Sequence, residues 1–373
     1  MADLPGTGIY ALRKYRIQEH TMKILVIGPS DTRSRGGMAT VINGIRNSSY
    51  LNGRYDIDIF ESFIDGSAVV RLGFSVLAFV KFLFIYRKYD LFHIHVASYG
   101  STFRKRFYMQ VLKRAGKKVI VHIHGAKYLE FYKSISESNR RKMLDFLKQA
   151  DMVIALSDEW KKQFEEKFGL VNCVSLPNGI DTEAFECAVI DPEEHSHEFA
   201  FLGRLGERKG AYDLVKAVKL AAETDPEIKV YMAGDGEIEE FKRLRTEQKL
   251  ENNIEILGWI GYEAKLELLK KTAVLVLPSY NEGLPMAILE GMAAGKAVIS
   301  TTVGAIPEVV KPENGIIITP GDVEALKEAL LALSGHTDKL KAMSENNVKK
   351  INDSFSTRIM HERLAEYYDR VMQ

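Results

Sequence analysis

The chain has 373 residues, 46% hydrophobic and 27% charged, with a formal net charge of +1. That length suits two domains of ordinary size, and the composition excludes a disordered, collagen-like or disulfide-stapled chain. The charge is divided, +12 over residues 1–178 and −11 over the rest, and a basic half without a recognition motif points to an anionic membrane surface or a phosphate-bearing acceptor rather than nucleic acid.

Cys173 and Cys187 show neither a disulfide framework nor metal-ligand spacing, so a reducing cytoplasm is expected. Ala2 to Thr21 lacks the apolar centre of a signal peptide, and residues 1–21 read as an extension before the domain that begins at Met22.

Ile24 to Ile27 is a short apolar run, expected as a buried strand. A loop with Gly36 and Gly37 follows, and a helix is expected from about Ala39 to Arg46. Glycines at a helix start can cradle a phosphate. Tyr55 to Phe60 alternates as a strand with Asp56 and Asp58 on one outward face. These read as solvated carboxylates, and no metal is expected there.

Ala68 to Tyr86 is apolar but interrupted by Arg71 and Lys81, a poor transmembrane span. It reads as a buried crossover helix, with a helix dipping into a membrane as the alternative. Asp90 to His95 is a further strand. The basic, aromatic helix after it carries Phe103, Arg104, Lys105, Arg106, Phe107 and Tyr108. Cations among aromatics suit an anionic lipid surface, with a solvated charged face as the plainer reading. Lys118 to His124 is the next strand. His124 stands at its carboxyl end, where ligands of open α/β sheets bind, and His122 packs inward. The two His-x-His pairs lack a nearby Cys or carboxylate, so zinc is not expected.

Strands at Asp151–Ser157 and Cys173–Leu176 lead to a turn at Pro177–Asp181. An acidic, loop-like stretch up to His197 places the hinge there. The strand Glu198–Leu202 is followed by Gly203-Arg204-Leu205-Gly206-Glu207-Arg208-Lys209-Gly210. Cations and flexible glycines past a strand end suit a diphosphate. Strands at Lys229–Ala233 and Ile254–Leu257 follow, the second turning at Gly258, Trp259 and Ile260.

Ala273 to Leu277 then feeds the loop from Pro278, which opens a helix carrying Ala287, Ile288, Leu289 and Met292. Glu282 lies in the loop and Glu290 two turns into the helix, within an otherwise apolar run. Two carboxylates so spaced can address different hydroxyls of one sugar-bearing ligand. Gly283 lets a ligand approach the backbone, and Pro285 suits a first helical turn. Strands alternate with helices in two similar halves, so the expected fold is α/β, two doubly wound parallel sheets facing a cleft.

The string Glu-Gly-Leu-Pro-Met-Ala-Ile-Leu-Glu from Glu282 to Glu290, continued through Ala297–Ser300 and Gly304–Glu308, resembles the signature of the retaining glycosyltransferases of family 4. The resemblance covers nearly all of residues 22–373. It implies a GT-B architecture with residues 22–178 as an acceptor domain and 179–355 as a nucleotide-sugar domain. The last helix, 356–373, crosses back to the first. It implies transfer of a sugar from a nucleotide diphosphate sugar, a UDP-sugar before a GDP-sugar, with retention and without a metal or other cofactor. The acceptor is a lipid-linked or other saccharide, as in bacterial surface polysaccharide assembly.

By the same resemblance, Arg204 and Lys209 hold the diphosphate, with Gly203, Gly36 and Gly37 beside the donor. Gly258, Trp259 and Ile260 seat the base, and Glu290 holds the ribose. Glu282, Gly283, Leu284, Pro285 and Met286 surround the sugar, and His124 stands near the reacting centre. Arg104, Lys105 and Arg106 are expected at the membrane or acceptor. The place of work is the cytoplasm, on the inner face of the membrane where attached. A catalytically silent partner subunit is the alternative, and an oxidoreductase is disfavoured because no Gly-x-Gly-x-x-Gly follows the first strand.

Overall fold

The computed structural model describes residues 21–30, 33–34, 37–125 and 128–373; Gly36 lies outside them. The first sheet contains β1 (Lys23–Pro29), β2 (Asp56–Phe63), β3 (Leu91–Val96), β4 (Lys118–Ile123), β5 (Met152–Ala155) and β6 (Cys173–Ser175), in the order β2-β1-β3-β4-β5-β6. The second contains β7 (Glu198–Leu202), β8 (Lys229–Ala233), β9 (Ile254–Gly258), β10 (Val274–Leu277), β11 (Ala297–Thr301) and β12 (Gly315–Ile318), in the order β12-β11-β10-β7-β8-β9. Every pairing is parallel. The expected pair of doubly wound sheets is therefore the fold adopted.

The central strands are near-continuous Val, Ile and Leu runs because helices cover both faces. β3, β5, β10 and β11 are buried along their whole length. Strand order reverses between β1 and β3 in the first sheet and between β7 and β10 in the second. At such a switch point successive loops diverge and leave a crevice beyond the carboxyl ends of the strands.

The helix Thr357–Met372 lies on one face of the first sheet. Met360, Leu364, Ala365 and Tyr368 join Ile24, Val26, Leu91 and Ile120 in one cluster. The hydroxyl of Tyr55 donates to Asp369 at 2.6 Å, and that of Tyr368 lies 2.8 Å from His93 Nδ1. The chain crosses between the sheets twice at one place, where Ile180 N donates to Phe355 O and Thr357 N to Ile180 O, both at 2.8 Å. A Cβ at Gly179 would lie 2.8 Å from Thr357 Cα, so the two crossings touch through glycine.

One expectation is overturned. The helix Ala68–Ile85 is not a buried crossover helix: Ala78 and Phe82 are its buried residues, whereas Leu77 and Phe84 are 72% and 81% exposed. Its segment Ala68–Lys88 is also long and apolar enough to cross a membrane by length and composition, so Arg71 and Lys81 interrupt it less than the sequence implied.

Candidate active site

A cleft of about 940 Å³ runs between the two sheets at their carboxyl ends. Its second-domain wall is made by the loops after β7 and β10, on either side of the switch point. Gly210 has φ +70° and a Cβ there would lie 2.0 Å from Pro278 O, so the two loops pack backbone against backbone. This places Lys209 Nζ 2.5 Å from Glu282 Oε1, with Arg208 Nη1 at 3.7 Å from the same oxygen. Glu282 is 8% exposed and lines the cleft with Arg208, Lys209, Gly283, Leu284, Pro285 and Met286.

Pro285 stands just before the helix Met286–Ala293, as its cap rather than in its first turn. The N–H groups of Gly283 and Leu284 have no acceptor among the described residues. The loop is fixed from behind, because Ala305 N donates to Gly283 O at 2.8 Å. Glu290 lies outside the cleft lining, on the side of β9, with Lys265 Nζ 2.6 Å from its Oε1. Gly258, Trp259 and Ile260 end β9 on that same side, and Trp259 is largely exposed. Gly203 ends β7 beside the Lys209 side chain. Arg204 is not part of the cleft lining and pairs with Asp235 at 3.3 Å. Arg208 was not singled out from the sequence; only its position beside Lys209 distinguished it.

The first-domain wall comes from the ends of β1, β3 and β4. Gly37 opens the helix Gly37–Arg46, and a Cβ there would lie 3.5 Å from Met286 Cγ across the cleft. His124, just past β4, lines the cleft, and its Nε2 lies 2.8 Å from His95 Nδ1. Side-chain alternation on β3 and β4 stacks His93, His95, His122 and His124 on one face, ring centroids 4.0 to 5.4 Å apart. Burial pushes the pKa of each down, that of His93 and His124 to about 3. The rings are therefore neutral at pH 7. Ring nitrogens of His93, His95 and His122 come within 4.8 Å of one another, a proximity the sequence did not reveal. His93 meets Tyr368 of the last helix, whereas His95 lines the cleft.

Arg104 and Lys105 also belong to the cleft wall. Lys105 is 3% exposed and donates to Ser62 Oγ, so it is no part of a membrane-facing charged surface. Arg106 is half-buried outside the cleft lining. Asp56 and Asp58 are exposed; Asp56 pairs with Lys23 at 3.3 Å, and Asp58 accepts from Tyr89 at 2.6 Å. Glu308 reaches across to the first domain, accepting from Asp158 N and Glu159 N at 3.2 and 3.1 Å.

Residues 186–350 match the family described as glycosyl transferases group 1, and residues 47–184 match glycosyltransferase family 4. An uncharacterized glycosyltransferase of Methanocaldococcus jannaschii is 30% identical over 277 residues, 72% of this chain and 71% of that one. The chain belongs to the group 1 glycosyltransferases. This glycosyltransferase is also 27% identical over 308 residues, 75% of each chain, to the UDP-Gal:alpha-D-GlcNAc-diphosphoundecaprenol alpha-1,3-galactosyltransferase of Escherichia coli. A GDP-mannose-dependent monoacylated alpha-(1-6)-phosphatidylinositol monomannoside mannosyltransferase of Corynebacterium glutamicum is 28% identical over 275 residues, 68% of this chain and 70% of that one. Among solved structures, the Anabaena protein HepE in complex with UDP and glucose has a TM-score of 0.73, 19% identity, and covers 94% of this chain and 100% of its own. Sucrose-phosphate synthase from Thermosynechococcus elongatus has a TM-score of 0.75 at 18% identity, covering 94% and 99%. These two share the GT-B fold.

Proposed function

We propose that this glycosyltransferase moves a sugar from a nucleotide diphosphate sugar to a lipid-linked saccharide acceptor, with retention of configuration and without a metal. The observation that carries the reading is the facing of Lys209, Arg208 and Glu282 across the β7–β10 switch point, next in the chain to the N–H groups of Gly283 and Leu284, which have no acceptor among the described residues. Cleaving the sugar–phosphate bond leaves a nucleoside diphosphate that gains negative charge. Lys209, with Arg204 swung from its exposed partner Asp235, supplies fixed positive charge at that point, and the loop N–H groups add dipoles.

Glu290 takes the ribose hydroxyls and Glu282 the sugar hydroxyls; each carboxylate is held meanwhile by a lysine. Gly258 to Ile260 seat the base on the Glu290 side. His124, neutral through burial, faces the cleft from the opposite wall and contacts the sugar through a hydrogen bond rather than as a cation. The acceptor hydroxyl attacks from the face the diphosphate leaves, and its proton passes to the departing phosphate oxygen. A UDP-sugar is the favoured donor and a GDP-sugar the next choice.

The lipid-linked acceptor is supported by the exposed apolar helix Ala68–Ile85 beside the cleft and by the basic balance of residues 1–178. The helix would lie in the cytoplasmic leaflet and the acidic second domain would stay in solution. The acceptors named for the Escherichia coli and Corynebacterium relatives, a diphosphoundecaprenol-linked sugar and a phosphatidylinositol mannoside, support this class of acceptor. The test is transfer from each nucleotide sugar to a lipid extract, with the product's anomeric configuration read by NMR. A product matching the donor's configuration supports the reading, and an inverted product overturns retention.

A further inference from the structure

The first-domain wall of the cleft holds three cations that the donor chemistry does not use. Arg71, Arg104 and Lys105 all line it, and none of them makes an ion pair among the described residues. Lys105 is almost wholly buried, and Ser62 Oγ is the neutral partner of its ammonium. Burial, with Arg104 beside it, holds that ammonium well below the usual lysine range. Arg104 is stacked over the Phe63 ring at 4.7 Å, and Arg71 is near enough to depress it further after burial. Like charges gathered in a half-buried wall repel one another, and a bound anion relieves that cost.

Beside the three stand neutral donors and one carboxylate, Asp65. Ser75 and Ser98 line the same wall, and each has a buried Oγ without a partner among the described residues. The helix Gly100–Arg114 begins here, with Gly100 and Ser101 in the lining and no acidic residue in its first turn. Its start is set by Tyr99 at φ +59°, and Tyr99 makes no side-chain cap to the helix.

What this wall adjoins decides the ligand. Arg71, Leu72 and Ser75 belong to the first turns of the helix Ala68–Ile85, whose remaining length presents Val76, Leu77, Val80 and Phe84 to solvent. An anion site thus opens directly onto an apolar track. We propose that Arg71, Arg104 and Lys105 bind the phosphate or diphosphate of the acceptor, an anionic lipid whose chain lies along Ala68–Ile85. The inference rests on the lipid-linked acceptor proposed above and adds a second anion site, opposite the one at Lys209.

The test uses the full chain and vesicle sedimentation. Phosphatidylcholine vesicles carrying a long-chain isoprenoid diphosphate are compared with vesicles of equal surface charge carrying phosphatidylserine. Inorganic pyrophosphate is added as a soluble competitor. Arg71→Gln and Arg104→Gln are the variants, both at positions open to the cleft, with near-UV circular dichroism as the control for folding. Loss of one charge-assisted contact corresponds to about tenfold in affinity. The wild type should prefer diphosphate vesicles by tenfold or more, on the order of one such contact, and each variant should lose that preference.

Equal binding to both vesicles, or an unchanged preference in both variants, overturns the site. Pyrophosphate binding as tightly as the vesicles overturns the lipid occupant, because the apolar track then contributes nothing. Nucleotide-sugar binding is followed in the same preparations. Intact donor binding without lipid preference removes this site alone, whereas lipid preference without any donor binding removes the proposed donor reaction instead.

Discussion

Lys209 Nζ and Glu282 Oε1 lie 2.5 Å apart, joining the two loops that flank the switch point of the second sheet. Both side chains are nearly buried, so in the proposed reaction each must be released or shared before it meets the donor. The pair therefore fixes the cleft wall proposed above to take the diphosphate and the sugar.

Lys209→Ala should lower turnover about a hundredfold or more, the usual cost of removing one fixed stabiliser of developing charge. It also leaves Glu282 to Arg208 alone at 3.7 Å, so the thermal midpoint should fall. Arg204→Ala should lower turnover similarly with little effect on the midpoint, because its pair with Asp235 is exposed. Steady-state kinetics and calorimetry on both variants check this. Near-normal rates in both would remove the diphosphate assignment.

Gly304 has φ +58°, and a Cβ there would lie 2.3 Å from Glu282 O and 2.4 Å from Gly283 O. Those are backbone atoms that cannot rotate aside. Gly304→Ala should displace the Glu282 loop, cost about 1–3 kcal/mol of stability and reduce turnover well beyond that of a distant surface variant. Unchanged kinetics would show that the loop position is not what sets the rate.

Four buried histidines and the half-buried His124 give the first domain, with the last helix packed on it, an acid limit. Burial lowers the pKa of His93 and His124 to about 3 and of His361 to about 4, and pushes His95 and His122 well down. Each folded value lies below the unfolded value of about 6.5, so their stability is complete above that pH. It is lost as pH falls through about 6.5 towards the folded values, because the unfolded chain takes up protons that the fold refuses. Each group contributes a slope of about 1.4 kcal/mol per pH unit inside that window. Urea midpoints should be flat from pH 8 to about 7 and drop steeply below about 6. A flat profile down to about pH 5 would show that these rings are protonated at little cost.

Activity should survive EDTA. In the proposed reaction the diphosphate's charge is met by Lys209 and Arg204, and of the histidine cluster only His95 reaches the cleft lining, while His93 is held by Tyr368 of the last helix. Loss of activity restored by Mg²⁺ or Mn²⁺ would show that side chains alone do not balance the leaving group.

Much of this was legible in the sequence. Short apolar runs ending in Gly-rich or Pro-rich loops announced the strands, because buried parallel strands carry no polar face. The loops Gly203–Gly210 and Pro278–Glu290 were legible because their glycines and charges are local. The Lys209–Glu282 pair was not, since it depends on β7 and β10 being neighbours although β8 and β9 intervene in the chain. The helix Ala68–Ile85 was misread for a similar reason: apolar composition does not say whether a helix is covered by protein or left bare. Lys105 looked like one charge in a solvated run, and its burial against Ser62 is set by β2, which lies 42 or more residues earlier at Asp56–Phe63.

The central claim is that the cleft between the sheets binds a nucleotide diphosphate sugar through Lys209 and the Glu282 loop. Isothermal titration of the purified chain with a panel of UDP- and GDP-sugars tests it most directly. At least one donor should bind with one-to-one stoichiometry in EDTA, and Lys209→Ala should weaken it by about tenfold or more. No binding by any member of the panel, or equal binding by wild type and variant, would contradict it.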